Sequence, residues 1–181
     1  MLNNFLKLAA QYFRMTIKQV FRPISPGGYQ QGAIMPESRL MAEIRRTDGT
    51  IESLGILSTK VVTTAFVNLL VDQLQSSTGE IANFSFHGMG IGGAAEAIGD
   101  TALASAVETR ANGTKTEGAS ANIYRSVGTV TATAARAIVE HGLFNASSSG
   151  VLMDRSVFAV INLGSGDSVQ FTYELTVPAG G

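Results

Sequence analysis

The stretch 169–177 constrains the fold more than any other part of the chain. Val169, Phe171, Tyr173, Leu175 and Val177 alternate with Gln170, Thr172, Glu174 and Thr176, so apolar side chains recur at every second residue. A strand has that period and a helix does not. A strand with one apolar and one polar face is stable only in a sheet whose apolar face packs on a second layer.

The residues upstream extend this reading. Val157–Leu163 is almost continuously apolar, which predicts a strand buried on both faces. Gly164-Ser165-Gly166-Asp167 between these two runs predicts a hairpin loop. Leu40–Arg46 and Thr50–Leu54 flank Thr47-Asp48-Gly49, a tight-turn sequence that predicts another hairpin, with Ile56–Val62 extending its second strand. Ile81–His87, Ala106–Arg110, Ile123–Thr133 and Ala137–Phe144 are further strand candidates. In Ile123–Thr133, Thr129, Thr131 and Thr133 fall on one side, with Val130, Ala132 and Ala134 on the other. One internal helix is predicted. It is capped by Thr63 or Thr64, carries Phe66, Leu69, Leu70 and Leu74 on one face, and stops at Ser76–Gly79. Short strands at this spacing with a single helix predict a mainly β fold, an antiparallel β-sandwich or jelly-roll-like domain over 38–181.

The first 37 residues read differently. Phe5, Leu8, Ala9, Tyr12, Phe13, Thr16, Ile17 and Val20 recur along one face of a helix, while Lys7, Arg14 and Lys18 interrupt any uncharged run of the length a membrane span needs. Arg22–Glu37 holds three of the four prolines, which predicts an extended linker. A helix on a stretched linker makes an arm able to dock on a neighbouring subunit. Phe5, Tyr12, Phe13 and Ile17 are its candidate interface residues.

Composition narrows the function classes. Charged residues make up 15% of the 181 and the net charge is −1, so there is no basic excess to neutralise a phosphate backbone, and nucleic acid is not an expected partner. Charge this low, against about 25% in ordinary soluble domains, suggests that other polypeptides cover part of the surface. The chain has no cysteine, which excludes disulfides, thiolate metal sites and thiol nucleophiles.

Three motifs invite a chemical reading. Gly88, Gly90 and Gly93 satisfy G-x-G-x-x-G, with Glu108 about twenty residues on, where a ribose-binding acid would stand. The next residues meet Gly99 at once and no βαβ pattern follows, so a loop or bulge between strands is the preferred reading. His87 and His141 could approach Glu140 or Asp154 to hold a metal, but their spacing is not that of a helical ligand pair, and each is expected instead to hydrogen-bond at a strand–turn junction. Asp154-Arg155 is expected to be a surface or interface ion pair. No G-x-S-x-G elbow is present. Catalytic, cofactor-binding and metal residues are therefore all assigned as none.

Several blocks resemble the structural proteins of tailed bacteriophages. They are Leu57-Ser-Thr-Lys-Val-Val-Thr-Thr-Ala-Phe66, Phe86-His-Gly-Met-Gly90 with Ile98-Gly-Asp-Thr-Ala-Leu103, Tyr124-Arg-Ser-Val-Gly128, Glu140-His-Gly-Leu-Phe144, Asp154-Arg-Ser-Val-Phe158 and Gly166-Asp-Ser-Val-Gln-Phe-Thr-Tyr173. The resemblance covers about Ile51–Val177 in matching order and omits the N-terminal arm. It implies a non-enzymatic virion component, made in the cytoplasm of a bacterial host, that decorates or cements the capsid. Its implied partners are copies of itself, a trimer by analogy, and the major capsid protein or other virion proteins, with no cofactor and no membrane. The competing expectations are a neck, tail or fibre-associated protein for host attachment or head–tail joining, and a ligand-binding domain using the glycine-rich loop.

Overall fold

A computed structural model describes residues 37–59, 62–75 and 83–177. The arm, including Phe5, Tyr12, Phe13 and Ile17, lies outside the described residues. Among the described residues nine strands and one helix follow in order: β1 (Glu37–Arg45), β2 (Ile51–Ser58), α1 (Thr64–Gln75), β3 (Phe86–Gly90), β4 (Ala106–Asn112), β5 (Thr114–Glu117), β6 (Ile123–Thr131), β7 (Arg136–Phe144), β8 (Leu152–Leu163) and β9 (Ser168–Thr176). They form two antiparallel sheets, ordered β2-β1-β9-β6-β5 and β4-β3-β7-β8. The molecule is mainly β, with the sheets packed as a sandwich.

The alternation over 169–177 places β9 in the middle of the first sheet. Its register runs Glu37↔Thr176 to Arg45↔Ser168 on one side and Ile123↔Thr176 to Thr131↔Ser168 on the other. Val169, Phe171, Tyr173 and Leu175 face inward beside Leu40, Ala42 and Ile44 of β1 and Val130 of β6. Met89, Ile138, Leu143 and Ile161 of the second sheet complete the core. On the opposite face Glu174 lies across from both Arg39 and Arg125 and pairs with each, so one carboxylate ties three strands together.

The first hairpin forms as the turn chemistry predicts. Gly49 has φ +87°, and Asp48 Oδ1 accepts the Thr50 amide at 2.8 Å. Thr63 caps α1 by accepting the Phe66 amide at 3.2 Å, and its own hydroxyl donates to the Leu152 carbonyl. Phe66 is buried against Phe84. Leu70, expected on the same face, is exposed.

Other expectations are corrected. β2 ends at Ser58, and Val62 instead bridges to Asp154 in the other sheet. The Ile81–His87 strand moves toward the C-terminus and begins at Phe86. Gly164–Asp167 is not a hairpin, because β8 and β9 belong to different sheets and these residues turn the corner between them. Asp167 fixes that corner by accepting the Gly164 amide at 2.8 Å, the Thr47 amide at 3.0 Å and the Arg46 guanidinium at 3.0 Å. A second corner passes through Gly113, which joins β4 in one sheet to β5 in the other. Finally, Val157–Leu163 is not buried on both faces. β8 is an edge strand with Val160 exposed there, and the fully buried run is 152–156.

Candidate functional site

The buried start of β8 leads to the most elaborate polar structure in the molecule. Arg155 and Glu140, on adjacent strands β8 and β7, form a fully buried ion pair at 2.8 Å. The remaining Arg155 donors reach Asp100 at 2.9 Å and the Ala94 carbonyl at 3.0 Å. Glu140 Oε1 accepts the amides of Gly92 at 3.0 Å and Ser105 at 2.7 Å, and Oε2 accepts that of Ala104 at 3.0 Å. The loop 91–105 is thus wrapped around one arginine and one carboxylate. Stripping water from two charges costs several kcal/mol, which only close geometry and further hydrogen bonds offset. Both conditions are met here. Asp154-Arg155 is therefore not a surface pair, since both residues are buried and Arg155 pairs with Glu140 and Asp100.

This arrangement accounts for Gly90 of the glycine motif and for Gly92 beside it, whereas a Cβ on Gly93 would meet nothing within 4 Å. Gly88 and Gly90 lie within β3, with a bulge in its pairing to β4 between His87 and Met89. A Cβ on Gly90 would overlap Glu140, and one on Gly92 would stand 2.6 Å from Glu140 Oε1. These two glycines make room for a carboxylate of the chain itself. In a nucleotide site the loop amides would meet phosphate; here the amides of Gly92, Ala104 and Ser105 already bind Glu140. Glu108 is engaged elsewhere, accepting Arg136 at 2.9 Å and Thr133 at 2.7 Å.

The two histidines meet, but inside the sandwich and not at strand–turn junctions. His87 Nδ1 and His141 Nε2 are 3.0 Å apart, and His87 Nε2 is 2.9 Å from Ser126 Oγ. His141 Nδ1 makes no hydrogen bond. The arrangement that leaves no buried N–H unmatched has His141 donating to His87 and His87 donating to Ser126. Burial lowers His87 to about 3 and takes His141 well below the ordinary histidine range, with the His87 ring adding to the second shift. Both rings are neutral. Their role is to link the sheets: His87 from β3 meets β6 at Ser126 and Gly128, and His141 from β7 stacks 4.5 Å from Phe171 of β9. Asp154 is buried apart from Arg155 and accepts Ser156 Oγ at 2.8 Å. Burial raises it to about 7 against the Ser156 and Ser38 hydroxyls. Among the described residues no group of three or more His, Asp or Glu is placed to hold a metal ion. No helix among them is long and apolar enough to cross a membrane.

No family model, curated protein or solved structure matches the chain.

What remains on the outside is an asymmetric surface. The first sheet ends at one side in β5, whose Thr-Lys-Thr-Glu is entirely exposed and polar. It ends at the other in β2, where Ile51 is 59% and Ile56 55% exposed. β2 lies on the same side as β8, the edge of the second sheet, where Val160 is exposed. Val67 and Leu70 of α1 and Ile98 of the loop at its N-terminus are exposed as well. Sequence reasoning missed this edge because Ile51 and Ile56 look like core residues until the neighbouring strand is known.

Proposed function

We propose that the chain is a non-enzymatic structural component of a tailed-bacteriophage particle and acts as a capsid cement or decoration protein, bound to copies of itself and to the major capsid protein. The observation that carries this reading is the apolar β2 edge, with Ile51 and Ile56 open to solvent while the opposite edge of the same sheet is polar. Natural sheets guard an edge with charge and bulges; β2 has Glu52 and two register shifts against β1, and its exposed isoleucines are apolar surface to be covered. Each 100 Å² of apolar area covered contributes about 2.5 kcal/mol before association costs. The same contact repeated over a lattice holds far more firmly than one copy would.

Two further features support the reading. The buried ionisable groups Glu140, Arg155, His87 and His141 are engaged with one another or with the backbone, and none of the four lines either of the two clefts formed by described residues around Asn112 and around Leu103. The sequence blocks quoted above resemble tailed-phage structural proteins over most of the described domain. The deciding experiment is the copy number in purified particles, measured by quantitative mass spectrometry against the major capsid protein. A cement protein is present in fixed, high proportion to it. A handful of copies per particle would instead mark a neck, tail or fibre component. Deleting 1–22, which carries Phe5, Tyr12, Phe13 and Ile17, is expected to reduce incorporation; unchanged incorporation would remove the arm from this account.

A further inference from the structure

At the Gly113 corner the segment before β3, the β4–β5 junction and the loop leaving β7 enclose an open cleft of about 440 Å³. It is lined by Asn83, Asn112 and Asn145, by Ser85, Ser147 and Phe86, and by Lys115. Among the described residues no carboxylate lines it. Arg39, Arg125 and Glu174, and Arg136 with Glu108, form ion pairs elsewhere on the surface. Apart from Lys115, the side chains lining this cleft are neutral, with one aromatic residue, Phe86, among them.

We infer that this cleft is a saccharide-binding site, taking a neutral sugar of one or two rings. A carboxamide presents a donor and an acceptor side by side, which suits two adjacent sugar hydroxyls. An aromatic ring offers an apolar face to the C–H side of a pyranose. The volume lies within the range of about 300–1,000 Å³ common to small-ligand sites, but the polar lining disfavours the apolar ligands that such sites usually take.

The site is also held in shape. Ser85 Oγ donates to Asn112 Oδ1 at 2.7 Å, so the Asn112 amide NH2 is left for a ligand. The Val151 amide donates to Asn145 Oδ1 at 2.7 Å, with the same result there. The Gly113 amide donates to the Ser85 carbonyl at 2.7 Å and fixes the floor. From behind, Arg110 lies over the Phe144 ring and donates to the carbonyls of Ala146 at 2.9 Å and Ser149 at 2.7 Å, bracing the loop that forms one wall. Groups ordered before binding lose little freedom on binding, which favours a weak polar ligand.

This inference does not rest on the virion assignment, and either can fail alone. The test is a titration of the isotopically labelled full chain with methyl glucoside, galactoside, mannoside and N-acetylglucosaminide, and with lactose and maltose, at millimolar concentration, read by amide chemical shifts. At least one sugar should give saturable shifts confined to Ser85, Phe86, 112–115 and 145–147. Asn112→Ala should weaken binding about tenfold, the equivalent of one well-made polar contact. Because Asn112 also supports Ser85, Ser147→Trp serves as a second variant: it fills the cleft from an exposed position and should abolish binding with the melting temperature unchanged. No shifts with any sugar, shifts elsewhere, or undiminished binding by Ser147→Trp would overturn the site. Binding confined to uronic or sialic acids and lost in Lys115→Ala would overturn the neutral ligand class.

Discussion

The buried histidines set how this protein responds to pH. His87 and His141 are neutral in the fold and take up protons below about 6.5 once unfolded. The unfolded chain then binds more protons than the folded one, so this contribution to stability is lost as the pH falls below 6.5. Asp154 works in the opposite direction. Its folded value is raised from 3.8 to about 7, so over that interval the folded state keeps a proton that the unfolded chain releases, and this contribution is lost as the pH rises toward 7. Between pH 5 and 6.5 two uptakes oppose one. Stability should therefore fall on acidification, with a net slope that is small near pH 6.5, where each unfolded histidine is half-charged, and approaches about one proton, or about 1.4 kcal/mol per pH unit, toward pH 5. Asp154→Asn mimics the protonated carboxyl and removes the counterweight. Urea unfolding at a series of pH values should give a slope near two protons for the variant and higher stability than the parent above pH 7; an unchanged slope would exclude Asp154. The same rings depend on a glycine. A Cβ at Gly128 would overlap the His87 ring. Gly128→Ala should cost about 1–3 kcal/mol in equilibrium unfolding, the usual penalty for overfilling a packed core.

At the scale of elements, β7 and β8 shape the longest loop among the described residues through two side chains. Replacing Glu140 with Gln leaves Arg155 buried beside a neutral group, a change expected to cost about 3–5 kcal/mol. The amides of Gly92, Ala104 and Ser105 should then exchange much faster with deuterium, while exchange in β9 tracks only the lower global stability. Equal acceleration throughout would mean that Glu140 supports the whole sandwich and not the loop in particular. Thr63→Ala should cost about 1 kcal/mol by removing the cap of α1. How much of these elements was legible depended on whether a signal was local. The β9 alternation, the Asp48-Gly49 turn and the Thr63 cap are short-range patterns, and each appears where its residues predict it. Long-range partners left no local trace. Gly164–Asp167 reads alike as a hairpin or as a corner between sheets, because a Gly-rich turn records that the chain reverses and not which strand it joins next. Gly88, Gly90 and Gly93 look like a phosphate loop, and at Gly90 both uses need an absent Cβ; only the approach of Glu140, about fifty residues on, distinguishes them. The apolar run 157–163 likewise states that burial is favourable without naming a covering element, and 152–156, with Asp154, Arg155 and Ser156, gives no local sign that it is the buried part.

For the molecule as a whole, the uneven edges of the first sheet make the most direct prediction. Ile56→Lys places a charge on an exposed position opposite Met41 and should leave the melting temperature within about 2 °C, since surface changes seldom exceed about 0.5 kcal/mol. Incorporation into particles, or self-association measured by sedimentation, should fall sharply. A variant that assembles like the parent would mean that β2 is not the covered edge. The topology carries one more consequence, for synthesis. β9 is nearly the last stretch of the described chain, yet it is the central strand of its sheet, with β1 and β6 on either side. Until residue 176 has left the ribosome, the hairpin β1–β2 and the pair β5–β6 have nothing between them, and β1 waits with its inner edge bare. Nascent or prematurely terminated chains would therefore be sticky fragments, while chains with β9 in place can close in one cooperative step.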